Sequence, residues 1–298
     1  MKNQFLALCI LLFILINSCG TGKTDNETLG ERKSSYTYIP FDPLPVSTIP
    51  GESCECKGCQ PCDSVPFKDL LSSFPDQTVR LSIAKLSASG TVTFGSFVKA
   101  DAKGENYRVI LDYVNVDVAR RDFLFTASTP ETPDEEITYT IIPYHHNLEE
   151  TKQSKRISIP VYVGVGLRLT ANVKTLEADV NLSGLSTIAA EAKAGRLEGS
   201  LTVQTLGITG KNIASSLPLP SEINETTIQN ALVAIGSIKA QLYDNENTII
   251  SPRVVGIYKP IEGGTDVINA IIADLAKSRV KWHRPCNKPL VYSEFEKE

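Results

Sequence analysis

Alternation of apolar and polar residues dominates the chain beyond about residue 76 and is clearest in residues 160–173. In that stretch, every second residue from Val161 to Leu169 is a large aliphatic. The residues between and just beyond them are Tyr162, Gly164, Gly166, Arg168 and Thr170. A period of two is typical of a strand with one buried face, and two glycines in one strand indicate strong curvature, a bulge or close approach by another backbone. The pattern therefore predicts a strand in a barrel or in a tightly packed sandwich.

Several other stretches rich in Val, Ile, Thr and aromatic residues predict further strands. They lie at residues 79–86, 91–98, 107–118, 137–142, 197–206 and 253–258. Residues 102–106 have the composition of a turn, so the strands around them are predicted to form an antiparallel hairpin or meander. The strand pattern continues through residues 174–182 with a phase slip near Thr175, which predicts a bulge or a turn at that point.

Apolar positions spaced three and four residues apart predict two helices. The first spans residues 224–243 with Asn224 as its N-cap, and the second spans residues 266–277 after the cap Thr265. The buried stripe of the first helix is predicted to comprise Ile228, Leu232, Ile235, Ile238 and Leu242. A shorter, Ala-rich helix is predicted at residues 186–194.

These elements show no regular alternation of strand and helix and no repeat of fixed length. We therefore expect an α+β fold. It would be a mainly antiparallel, β-rich domain, either a sandwich or a partly closed barrel, with two or three packed helices. This single domain is predicted to occupy residues 76–285, and residues 286–298 are predicted to be a C-terminal tail.

Composition narrows the classes of function. Of the 298 residues, 42% are hydrophobic, which excludes a disordered chain. Thirty basic residues against 34 acidic residues give a net charge of -4. Because nucleic-acid binding needs clustered Lys and Arg, no nucleic-acid partner is expected. The G-x-S-x-G and H-E-x-x-H motifs do not occur in the sequence, and no cofactor is predicted.

The N-terminus carries twelve apolar residues, Phe5 to Ile16, followed by Asn17, Ser18, Cys19 and Gly20. Twelve residues are too few to span a bilayer, but they suit the hydrophobic region of a signal peptide. The segment I-N-S-C-G resembles the lipobox of bacterial lipoproteins, with an aliphatic at -3 and a small residue at -1 before the cysteine. At position -2 this family more often has Ser or Ala, whereas this chain has Asn17.

The resemblance covers residues 1–20 only, and it implies the following expectations. Residues 1–18 would be a cleaved signal peptide, and Cys19 would carry fatty acyl chains such as palmitate. The protein would be anchored in the bacterial cell envelope through this N-terminal lipid, in the outer membrane if the host is Gram-negative, with its domain outside the cytoplasm. The alternative is ordinary secretion, with Cys19 as a chance thiol.

Residues 19–75 are predicted to be a flexible tether, because residues 20–50 are rich in Thr, Ser, Asn, Gly and Pro without a hydrophobic period. The tether contains a cluster of four cysteines, and a fifth lies near the C-terminus. These are Cys54, Cys56, Cys59, Cys62 and Cys286. Disulfides are expected in an exported protein, and one of them could join the cluster to Cys286. A zinc or other soft-metal site, an iron–sulfur cluster and free thiols remain alternatives.

Few residues suggest catalysis or metal binding. His145 and His146 precede two glutamates, and His283 lies beside Trp282 in the segment W-H-R-P-C, which suggests either a ligand surface or a C-terminal strap. Asp134–Glu136 could bind Ca²⁺ but has the composition of a solvated loop. Two acidic residues in a predicted strand, Asp112 and Asp117, are expected to form ion pairs with nearby arginines. The arginines in question are Arg108, Arg120 and Arg121. No metal site is assigned.

The sequence therefore predicts a membrane-anchored, exported lipoprotein with a non-catalytic role, either binding a ligand or protein partner or contributing to an envelope assembly. One alternative is an extracytoplasmic hydrolase with an unidentified carboxylate or histidine site. Another is a self-assembling, β-rich pore or tube component, suggested by the near-continuous apolar character of residues 107–118 and 160–173.

Overall fold

In the computed structural model, the strand pattern of the sequence becomes one large curled sheet. The structure describes residues 37–50, 52–53, 60–61, 64–66, 69–74, 76–88, 92–95, 99–128, 137–144, 154–242, 248–259 and 265–286. Among these described residues, strands account for about 53% and helices for 25%, and the antiparallel-rich sheet curls into a half-barrel. The predicted α+β, β-rich fold is therefore confirmed.

The strands are β1 (Thr37–Ile49), β2 (Glu52–Ser53), β3 (Gln60–Pro61), β4 (Asp76–Leu86), β5 (Val92–Gly95), β6 (Asn106–Ala127), β7 (Tyr139–Pro143), β8 (Ser154–Thr175), β9 (Leu197–Leu206), β10 (Ile208–Thr209), β11 (Ser221–Glu222), β12 (Ile249–Ile250), β13 (Arg253–Lys259) and β14 (Val280–His283). The helices are α1 (Leu70–Ser73), α2 (Leu185–Lys193), α3 (Lys211–Ser216), α4 (Glu225–Gln241) and α5 (Thr265–Lys277). The three helices predicted from the sequence are α2, α4 and α5. Asn224 caps α4, accepting a hydrogen bond from the backbone N–H of Thr227.

Two strands of 22 residues, β6 and β8, form the centre of the main sheet. They pair antiparallel along almost their whole length, from Asn106 opposite Lys174 to Thr126 opposite Ser154. One half of this ladder is flanked by β4, β5, β9 and β11, and the other half by β13, β1, β14 and β7. Every pairing in the main sheet is antiparallel except that of β1 with β14. β8 ends at Thr175, and the bend that follows is the turn predicted there.

Helices cover one face of the sheet, and the aliphatic positions of β8 from Val161 to Leu167 are fully buried beneath them. Helix α5 contributes Val267, Ile268, Ile271 and Leu275 to this core. Helix α4 buries Ile228, Ala231, Ile238 and Leu242. The predicted place of Leu232 in that stripe is wrong, because its side chain is 43% exposed. The buried face of α4 includes Ala231, three positions after Ile228, instead of Leu232, four positions after it.

Strand β1 corrects the sequence prediction, because it occupies residues 37–49 of the stretch predicted to be a flexible tether. Three prolines in this stretch, Pro40, Pro43 and Pro45, argued against a strand, since proline cannot donate to the ladder. The register with β13 shifts between Pro40 and Leu44, so Pro43 lies in the irregular stretch, whereas Pro40 and Pro45 lie opposite Gly256 and Arg253. Ile39 anchors the strand in the core and is fully buried.

The two glycines of β8 allow β6 to approach closely, which is one of the three alternatives that the sequence left open. A Cβ atom added to Gly164 would lie 2.1 Å from the carbonyl oxygen of Asn115, and one added to Gly166 would lie 2.1 Å from that of Tyr113. No heavier residue fits at these distances without moving the backbone. The glycines therefore permit the curl that brings β1 over the sheet.

The C-terminal segment packs as a strap. β14 pairs with the end of β1, and Ser64 forms a bridge with Cys286. The backbone N–H of Val65 donates to the carbonyl oxygen of Pro285 at 2.8 Å. Cys286 is the one cysteine among the described residues, and the other six cysteines of the chain lie outside them. Among the described residues, no helix is both long enough and apolar enough to cross a membrane.

Candidate binding face of the sheet

The sheet face opposite the helices carries most of the polar side chains of the long strands. Residues directly opposite each other in an antiparallel ladder point to the same face, so the register defines rows across the strands. One row contains Arg80, Asp112, Arg168 and Gln204, on β4, β6, β8 and β9. A second row, four residues along the strands, contains Ala84, Arg108, Asn172, Ser200 and Glu222. We name the surroundings of these rows the closed end and the open end.

An ion pair forms the centre of the closed end. The Arg168 Nε atom lies 2.6 Å from Asp112 Oδ1, and its Nη2 atom lies 2.7 Å from Oδ2. The two side chains are 3% and 0% exposed. Two further N–H groups of Arg168 donate to the carbonyl oxygens of Phe41, at 2.7 Å, and Val255, at 3.0 Å. Bidentate geometry and additional backbone acceptors are what a buried pair needs to offset desolvation of its charges.

Tyr38 of β1 completes this arrangement by donating its phenolic hydrogen to Asp112 Oδ2 at 2.6 Å. Burial and the neighbouring Asp112 charge raise the pKa of Tyr38 well above its usual value, so the phenol remains a donor. The hydroxyl of Ser82 donates to the carbonyl oxygen of Tyr38 at 3.2 Å. The polar contacts therefore hold β1 against β4, β6 and β8, and they close this end of the half-barrel.

Three tyrosine rings surround the guanidinium of Arg80. Its Cζ atom lies 4.5 Å from the ring centroid of Tyr162, 5.2 Å from that of Tyr258 and 5.5 Å from that of Tyr38. Its Nη1 atom also donates to the Tyr258 hydroxyl at 2.5 Å. Cation–π contacts of this kind stabilise a partly desolvated arginine. These polar and ring contacts hold the strands of the closed end together, and both oxygens of Asp112 accept hydrogen bonds from Arg168 or Tyr38.

The open end is a groove of about 1010 Å³ formed where β4, β6, β8, β9 and β11 meet. Arg108, Ser200 and Glu222 are exposed, and Asn172 is half-buried between them. The Nε atom of Arg108 donates to the Oδ1 atom of Asn172 at 3.1 Å. Neighbouring strands lie about 4.8 Å apart. The row from Arg108 to Glu222 crosses three such spacings and therefore spans roughly 14 Å.

A second pair of charges lies at the rim of the groove. Lys174 Nζ lies 3.2 Å from Glu198 Oε1, and both side chains are about half exposed, at 52% and 56%. Together with Arg108 and Glu222, these residues give the groove two positive and two negative side chains. The groove therefore carries no net charge, but Arg108 and Glu222 keep opposite charges at its two sides.

The turn before β6 borders the same groove. The Glu105 carboxylate accepts hydrogen bonds from the backbone N–H groups of Asp101 and Ala102, both at 3.2 Å, and from the Tyr107 hydroxyl at 2.6 Å. It also pairs with Lys85. Partial burial opposes ionisation, but the hydrogen bonds from Lys85, Tyr107 and Ala102 outweigh it and lower the pKa of Glu105 to about 2. This carboxylate therefore fixes the turn.

Most of the site residues predicted from the sequence do not come together. Cys19, the four clustered cysteines, His145, His146 and Asp134–Glu136 all lie outside the described residues. His283 is exposed on β14. Trp282 is 2% exposed, stacks on Phe74 at 5.8 Å and donates its indole N–H to Asp117 at 3.0 Å. Trp282 therefore belongs to the strap, and its ring is not a ligand surface.

The predicted ion pairs of Asp112 and Asp117 have different partners from those expected. Asp112 pairs with Arg168, and Asp117 accepts the Trp282 indole. Arg121 pairs with Asp274 of α5 instead. Charged residues in the middle of apolar strands were the available signal, since they must be paired when buried. Among the described residues, no group of three or more His, Cys, Asp or Glu side chains could hold a metal ion.

Comparison with known proteins adds no assignment. No protein-family model, curated protein or solved structure matches the chain.

Proposed function

We propose that the protein is an exported, lipid-anchored protein of the bacterial cell envelope that binds a ligand, without catalysis, at the open end of its sheet. The observation that carries the proposal is the groove of about 1010 Å³, crossed by a row of polar side chains from four strands. A concave site of this size with a few convergent polar groups is the usual form of a ligand pocket.

The difference in burial between the closed end and the open end supports binding at the open end. The Arg168–Asp112 pair of the closed end is buried and takes part in five hydrogen bonds that hold strands together. At the open end, Arg108, Ser200 and Glu222 are exposed. Side chains that are not needed for packing, on a rigid sheet, can be oriented for a ligand at little cost in stability.

The anchor rests on the sequence, where a short apolar segment precedes I-N-S-C-G. Because β1 begins at Thr37, the proposed spacer is residues 20–36 and not the longer stretch predicted from composition. We propose that Cys286 forms a disulfide with one of the four clustered cysteines, because Ser64, which forms a β-bridge with Cys286, closely follows that cluster in the sequence. The hydrolase alternative stays a prediction, since His145 and His146 lie outside the described residues.

Binding can be tested by thermal unfolding of the full chain in the presence of panels of oligosaccharides, amino acids and short peptides. A ligand that binds only the folded state raises Tm in proportion to the logarithm of its concentration. We expect such a ligand for the wild type, and we expect its effect to be lost in the double variant Arg108→Ala with Glu222→Gln. The matched control is Arg120→Ala, an exposed arginine on β6 that does not line the groove. Equal shifts in all three proteins would place binding elsewhere.

The anchor can be tested by intact mass spectrometry of the protein from its native membrane. We expect a chain that begins at an acylated Cys19 and a larger mass after reduction, which counts the disulfides. Cys19→Ala should abolish acylation and cleavage, whereas Cys9→Ala, within the apolar segment, should leave both unchanged. A wild-type chain that begins elsewhere, without acyl groups, would contradict the proposal.

A further inference from the structure

We infer that the open end binds the two charged termini of a short, extended peptide of about four residues. This inference rests on the proposed function, and it names the class of ligand. The peptide would lie across the strands, with its carboxylate at Arg108 and its ammonium group at Glu222. Its backbone would contact Asn172 and Ser200 between them.

The charges of the groove select a ligand with two opposite ends. Arg108 and Glu222 lie at the two sides of one row, with Asn172 and Ser200 between them. A guanidinium binds a carboxylate through paired N–H donors, and a carboxylate accepts from an ammonium group. The groove contains as many acidic as basic side chains, so a polyanion such as a nucleic acid finds no excess of positive charge.

The length of the row sets the length of the ligand. The row spans roughly 14 Å, and an extended chain advances about 3.3 Å per residue. Four residues therefore bring the two termini to the two charged side chains, whereas two residues reach only half of the distance.

The middle of the row suits a peptide backbone. Asn172 Oδ1 already accepts from Arg108, which leaves the amide hydrogens of Asn172 for an acceptor such as a carbonyl oxygen. The Ser200 hydroxyl is exposed and can both donate and accept. An uncharged row that both donates and accepts matches the alternating C=O and N–H groups of an extended peptide. It leaves the side chains of the ligand largely unspecified.

The test is calorimetric titration of the full-length protein with tetra-alanine that has free termini. N-acetyl-tetra-alanine, tetra-alanine amide and di-alanine are the comparison ligands. We expect blocking either terminus, or shortening the peptide to two residues, to weaken binding about fivefold, the range of a partly exposed ion pair. Arg108→Ala should weaken the free peptide to the level of the amide and remove the difference between them. Glu222→Gln should do the same for the acetylated peptide.

The controls separate this inference from the proposed function. Arg120→Ala should bind tetra-alanine like the wild type. If a neutral oligosaccharide binds and its binding depends on Arg108 while the peptides do not bind, the peptide inference is wrong and the groove remains a ligand site. The same holds if blocked and free peptides bind equally. If no probe binds, or if Arg108→Ala and Glu222→Gln leave the affinity unchanged, the inference and the proposed function both fail.

Discussion

The closed end and the open end lie on one sheet face and use the same types of residue, yet burial gives them opposite roles. At the closed end, Arg168 and Asp112 are almost inaccessible to solvent and satisfy each other. At the open end, Arg108 and Glu222 are exposed and stand three strand spacings apart. An unpaired charge costs much free energy inside a protein and little in water. The comparison teaches that only the open end can keep charged groups available for a ligand.

Removing one partner of the buried pair should have the largest effect. Asp112→Ala leaves Arg168 charged and unpaired in the interior, and we expect a loss of about 3–5 kcal/mol in the free energy of unfolding. Urea denaturation measures this loss. Glu222→Ala, the carboxylate at the open end, should change stability by less than about 0.5 kcal/mol.

A second variant tests whether the loss of stability in Asp112→Ala comes from the unpaired charge or from the smaller side chain. Replacing both charges, Asp112→Leu with Arg168→Met, should recover most of the loss, because no unpaired charge remains. Equal stability of wild type and Asp112→Ala would show that the closed end does not depend on this pair, and the contrast between the two ends would collapse.

The phenol of Tyr38 should have an intermediate effect. Tyr38→Phe keeps the ring contacts but removes the hydrogen bond to Asp112, so we expect a loss of about 2 kcal/mol in the free energy of unfolding, typical of a bond to a charged group. The matched control is Tyr113→Phe. In the wild type, the Tyr113 hydroxyl accepts a hydrogen bond from the Gln77 side chain near the surface. That control should lose less than about 0.5 kcal/mol. Equal losses in the two variants would remove the distinction between buried and exposed polar contacts.

The smallest effect concerns pH and Glu105 at the border of the open end. The folded pKa of Glu105 is about 2, below its ordinary value of 4.5. The carboxylate therefore stabilises the fold above pH 4.5 and loses this contribution as the pH falls from about 4.5 towards 2. We expect this change to be about 1 kcal/mol, since the group is partly exposed.

The variant Glu105→Gln isolates this contribution in urea denaturation series at several pH values. The difference in stability between wild type and variant should shrink as the pH falls through this window. A difference in stability that stays constant with pH would show that the charge of Glu105 does not stabilise the turn.

Local pattern predicted the separate elements of this fold well. Residues 197–206 are β9, and Asn224 caps α4. These features depend on neighbours in the sequence, such as the period of two or the side chain of a cap. β1 could not be predicted in the same way. Its composition resembles that of a linker, and only its pairing with β13 and β14, far along the chain, makes it a strand.

The arrangement of side chains at the closed end and the open end could not be predicted from the sequence for a related reason. Arg168 was visible on the polar side of a predicted strand, and Asp112 on another. Their pairing depends on the register between β6 and β8, and a shift of one residue would place them on opposite faces. The row from Arg108 to Glu222 needs three correct registers at once. Charge in an apolar strand indicates that a partner exists, but it does not identify the partner.

The position of β1 also has a consequence for the order in which the sheet is completed. A chain emerges from the ribosome N-terminus first, so β1 is synthesised long before β13 and β14. Val46 of β1, for example, lies opposite Val280 of β14, which is made more than 200 residues later. An unpaired strand invites association with other chains, and prolines reduce this risk because they offer no N–H to a neighbour. Pro40, Pro43 and Pro45, which obscure the strand in the sequence, therefore protect it while its partners are still being made.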